Sequence, residues 1–81
     1  MLEKEFKYYI DNQAELVKNY NGKFLVIVGD NLIGIYDDKI SAYEKSKEKY
    51  ELGTFLIQLC TPGTSAYTQT FHSRVTFQNA N

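Results

Sequence analysis

The chain has 81 residues, with nine basic and ten acidic side chains interspersed along it for a net charge of −1. That balance raises no broad positive field to attract phosphates, so nucleic-acid binding is disfavoured. Cys60 is the lone cysteine, which excludes an internal disulfide, and a 15% aromatic share marks a chain that folds rather than a disordered one.

The length predicts a single domain over residues 1–81, with 79–81 as a frayed tail. A domain this short buries only about 60% of the surface its unfolded chain exposes, so an oligomer is one expected source of extra stability. The first ten residues mix acids and bases through their apolar positions. No signal peptide and no membrane span are therefore expected, and the single thiol in an apolar run suits a reducing cytoplasm.

From Leu2 to Tyr20 the apolar residues Leu2, Phe6, Tyr9, Ile10, Leu16, Val17 and Tyr20 recur at helical spacing. Asn21-Gly22 is the kind of pair that ends a helix. Two β-branched and aromatic runs follow, Lys23 to Val28 and Leu32 to Tyr36, around Gly29-Asp30-Asn31. They predict a tight antiparallel hairpin, with Gly34 marking a bulge or a close approach by a neighbouring side chain.

Asp37-Asp38 offers an N-cap for a second helix that carries Ile40, Tyr43, Lys47 and Tyr50 on one stripe, with Ala42 and Ser46 beside it. Lys39, Glu44, Lys45, Glu48, Lys49 and Glu51 form the solvated face, and Gly53 is the expected C-cap. Phe55 to Cys60 is apolar at nearly every position, the mark of a central strand buried on both faces. After Pro62-Gly63, the segment Tyr67 to Phe77 alternates apolar and polar residues and reads as a one-sided edge strand.

The elements run helix, strand, strand, helix, strand, strand. This is an α+β fold with a mainly antiparallel sheet in the order 2-1-3-4 and two helices packed on it. Phe24, Val26 and Val28 oppose Leu25 and Ile27 across the first strand, and Phe55, Ile57 and Leu59 oppose Leu56 and Cys60 across the third. Both faces are apolar. Either the helices take opposite faces, or both take one face and a second subunit covers the other. The second arrangement is favoured, and it makes Leu25, Ile27 and Leu56 interface candidates.

The pattern Tyr20-Asn21-Gly22-Lys23-Phe24-Leu25-Val26-Ile27, then Ile33-Gly34-Ile35-Tyr36-Asp37 and a short helix, then Leu52-Gly53-Thr54-Phe55-Leu56-Ile57-Gln58, resembles small bacterial proteins grouped as a domain of unknown function. Such proteins are similar in context to accessory genes beside retroviral-type aspartyl proteases. The resemblance implies a partner-binding role and brings no catalytic residue and no cofactor.

Chemistry-bearing residues are sparse. Cys60 and His72 would form a nucleophile and base if the third and fourth strands paired them, but a core cysteine and a surface histidine are the expected reading; His72 and Arg74 belong to a polar strip that could bind an anion. Asp30, Asp37 and Asp38 lack the alternation of a calcium loop, and one histidine with one cysteine makes no zinc site, so no metal is expected. Thr68, Thr70, His72, Arg74 and Thr76 line the polar side of the last strand, where another chain could add a strand. The expected function is a non-enzymatic module for self-association or binding another protein; the alternative is a small enzyme or ligand-binding domain using Cys60, His72 and Arg74.

Overall fold

The computed structural model describes residues 2–64, Tyr67 and 70–72. Helix α1 (Glu3–Tyr20) leads into strands β1 (Phe24–Val28) and β2 (Asn31–Tyr36), then helix α2 (Lys39–Lys47) and strands β3 (Leu56–Leu59) and β4 (Thr70–His72). The chain is α+β, with β1 antiparallel to both β2 and β3. These three strands form the body of the sheet. Among the described residues the fourth adds three at the outer side of β3, giving the order β2-β1-β3-β4. The rest of the strand expected from Tyr67 to Phe77 lies outside the described residues, apart from Tyr67, whose amide donates to the Thr64 carbonyl.

The hairpin turn is tighter than the sequence suggests, because Asn31 joins β2 and pairs with Val28. Gly29, at φ 62°, takes the left-handed position at the head of the remaining two-residue turn. Its amide donates to the Glu5 carboxylate at 2.7 Å, which ties the hairpin tip to the start of α1. Farther along, the register slips between Val26 and Ile27, because Val26 faces Gly34 while Ile27 faces Leu32. Ile33 is the extra residue of a β-bulge.

The two helices lie on opposite faces of the sheet. Under α1, the side chains of Leu2, Tyr9, Leu16, Leu25, Ile27, Leu56 and Cys60 form one core. Under α2, Val26, Ala42, Phe55 and Ile57 form a second, flanked by Phe24, Ile33, Tyr36 and Tyr43. The favoured expectation of two helices on one face is thus corrected to a thin three-layer domain. Strand periodicity puts Leu25 and Ile27 on one side of β1 and Val26 on the other, and each side has its own helix.

Helix α2 is rotated from the stripe its apolar residues suggest. Ala42 and Ser46 are buried against the sheet, whereas Ile40 is 68% exposed. The small residues let the helix axis come close, and the larger Tyr43 and Tyr50 fill the flanks. Its N-terminus is capped as expected, with the Asp38 carboxylate accepting from the Ser41 amide at 2.7 Å. It ends at Lys47, with the Lys49 and Tyr50 amides turning back onto the Ser46 carbonyl. Gly53 therefore lies beyond the helix, in the turn into β3, and is not its C-cap. Among the described residues no helix is long and apolar enough to cross a membrane.

Candidate functional site

The sequence candidates separate into three groups. Leu25, Ile27 and Leu56 have no exposed surface, because α1 lies over them. They are core residues rather than an interface. Thr70 is half-buried on β4, opposite Gln58, and its hydroxyl donates to the Gln58 side-chain oxygen. Thr68, Arg74 and Thr76 lie outside the described residues.

Gln58 is the polar exception within the central strand, fully buried between Leu56 and Cys60. Its amide donates to the Leu59 carbonyl at 2.9 Å, so both ends of the side chain are satisfied. Thr70 thus completes a buried hydrogen-bond pair in place of lining an open polar strip.

Ladder register separates Cys60 from His72. His72 faces Leu56 across β3 and β4, four residues from Cys60, or about 13 Å at ~3.3 Å per strand residue. The expected adjacency fails because the strands pair with Leu56 opposite His72 and Gln58 opposite Thr70. Cys60 instead sits beside Tyr9 in the α1 core, and burial pushes its thiol pKa up while the Tyr9 hydroxyl pulls it down. A buried thiol held protonated is a poor nucleophile.

Tyr9 is the centre of a polar cluster that the sequence does not reveal. Its hydroxyl is shared between the Leu59 and Thr61 carbonyls at 3.4 and 3.2 Å. Burial first, and the neighbouring Cys60 second, push its pKa up to about 12. One turn on, the Gln13 amide donates to the Thr61 and Gly63 carbonyls at 2.8 and 2.7 Å, and its oxygen accepts from the Tyr67 hydroxyl at 2.8 Å. Tyr67 also sets its ring edge-to-face on Phe6 and Tyr9. These contacts consume the polar groups in fastening Thr61, Gly63 and Tyr67 to α1. The cluster is a structural latch.

An exposed strand edge and a cleft lie at the other side of the sheet. Among the described residues β2 is a terminal strand, and Ile35, on the α1 side of its edge, is 41% exposed. Beside it, an open cleft of about 370 Å³ runs between the end of β2 and α2, lined by Lys23, Ile35, Tyr36, Asp37, Asp38, Ser41 and Lys45. Lys23 and Asp37 close one end with an ion pair, and Asp38 is committed to the helix cap. The cleft therefore combines an open backbone edge, an exposed isoleucine and a charged rim. Sequence reasoning passed over Ile35 because it shares the parity of the core residue Leu25, its partner on β1. Its exposure comes from standing at the sheet's outer limit.

Among the described residues, no three His, Cys, Asp or Glu side chains come together to hold a metal ion. Comparison with family models, with curated proteins and with solved structures finds no match.

Proposed function

We propose that this chain is a non-enzymatic protein-interaction module that takes up an extended segment of another polypeptide along the open edge of β2. The observation that carries the reading is the coincidence of a terminal strand, the exposed Ile35 and the adjoining cleft. Strand addition draws its affinity from backbone hydrogen bonds to such an edge and its selectivity from side-chain pockets beside it. The cleft between β2 and α2 suits that second role.

Both sheet faces are already covered by the chain's own helices, which removes the bare apolar surface that argued for a second copy. The bulge at Ile33 also interrupts the register along which two copies of β2 would pair. A short segment from a different protein, paired with the Gly34–Tyr36 half of the strand, fits this edge better. The buried lone thiol suits a reducing cytoplasmic setting.

The test is capture of partners from the native cell by the tagged chain, compared with Ile35→Lys and with Ile10→Lys as a control on the outer face of α1. Ile10 and Ile35 are equally exposed at 41%, and an unchanged urea midpoint for each variant is the condition for comparing their partners. A partner retained by Ile10→Lys and lost with Ile35→Lys supports the reading. A set of partners unchanged by Ile35→Lys refutes it.

A further inference from the structure

The connection between α1 and β1 holds Asn21-Gly22, the chain's one Asn-Gly pair. Asparagine is thermolabile, and a following glycine leaves its side chain open to attack by the next backbone nitrogen. In this reaction the Gly22 nitrogen bonds to Asn21 Cγ, the Cγ–Nδ2 bond breaks, and ammonia leaves with the Gly22 amide proton. Water then opens the cyclic imide to aspartate or isoaspartate. Nothing beyond water is consumed.

Two features of the fold oppose the first step. The Gly22 amide donates to the Cys60 carbonyl at 2.7 Å, so the attacking nitrogen has its proton engaged. Asn21 is also held at φ −55° and ψ 128°. Ring closure requires the Gly22 nitrogen to eclipse Asn21 Cβ, which for an L residue means a negative ψ. Both restraints depend on the end of α1 staying seated against the end of β3, since Cys60 also donates its own amide to the Lys23 carbonyl at 2.8 Å. Asn21 itself is exposed, so water reaches it.

We propose that Asn21 is a deamidation site gated by unfolding: protected while Gly22 is bound to Cys60, and converted when that junction opens. The product bars the return path. Aspartate or isoaspartate puts a negative charge at the C-terminal end of α1, where the helix dipole is already negative. Isoaspartate also reroutes the backbone through the former side chain, displacing the Gly22 amide from the Cys60 carbonyl. Each conversion thereby records an unfolding excursion irreversibly.

The experiment incubates the full chain at mildly alkaline pH in buffer and in increasing urea, and follows Asn21 by peptide mass spectrometry with separation of isoaspartate. Where opening and closing are fast, conversion tracks the open population, so the rate in buffer should be at least about tenfold below that in full denaturant and should rise with the unfolded fraction. Denatured, aged chain should refold incompletely, whereas Asn21→Gln, treated identically, should refold fully. Equal rates in buffer and urea, or complete refolding of the converted chain, would overturn the proposal.

Discussion

Tyr36 lies across the bare backbone of Gly34, two residues back on the same strand: a Cβ built on Gly34 would stand 2.7 Å from Tyr36 Cε1. The glycine leaves a shelf beside the bulge, and the ring covers it while packing its other side against the α2 core. Aromatic cover of an edge glycine is a recognised way to complete a strand that lacks a side chain. Here it also sets one wall of the cleft.

Gly34→Ala should therefore turn the tip of the Tyr36 ring outward, and because a side-chain end can give way and Gly34 has no positive φ, the cost should be no more than about 1 kcal/mol. Urea denaturation checks this as a midpoint only slightly lowered, with an unchanged slope. A larger loss would mean that the ring cannot give way.

Leu25 and Leu56 are fully buried beneath α1. Leu56→Ala should destabilise the chain by about 2–5 kcal/mol, as core truncations do. The drop should appear in the unfolding transition of the isolated chain, with no partner present. A stable variant with altered association would restore these residues to an interface.

The Tyr9 hydroxyl gives the stability of the chain an alkaline limit. Its pKa, raised by burial from 10.0 to about 12, means that the fold holds the neutral phenol while the unfolded chain ionises first. The stabilisation is fully present below pH 10 and is lost as pH rises towards 12. Cys60, raised from 9.0 by burial, acts in the same direction. Tyr9→Phe should cost about 1 kcal/mol at neutral pH through the lost hydrogen bonds to β3 and its following loop. It should also flatten, without abolishing, the fall in melting temperature between pH 10 and 12. A fall as steep as that of the natural chain would contradict the assignment.

The elements and their order are legible in the residues because local signals agree. Leu2 to Tyr20 keeps one helical period, Gly29 and Asp30 supply turn chemistry, and Phe55 to Cys60 is apolar on both parities. What each element packs against is a different kind of information. No local pattern states which sheet face a helix returns to, so α1 over Leu25 and Leu56 and α2 over Val26 and Ile57 emerge only from the tertiary fold.

The same limit hid the site. Tyr9 and Gln13 look like ordinary members of an amphipathic helix, yet their partners are backbone carbonyls about fifty residues away in sequence. Ile35 alternates like a core residue and is exposed because its strand ends the sheet. The small side chains of Ala42 and Ser46 mark a close approach to the sheet in the sequence, and both are buried there; Ile40, expected on the same packed stripe, is exposed because the helix turns those small residues towards the strands.

The central claim is that this chain closes both faces of its own sheet with its own two helices. Sedimentation velocity of the isolated chain through the micromolar range tests it most directly. A single monomeric species at every concentration is the predicted result. A dimer that grows with concentration would contradict it, showing that the sheet needs a second copy for its completion.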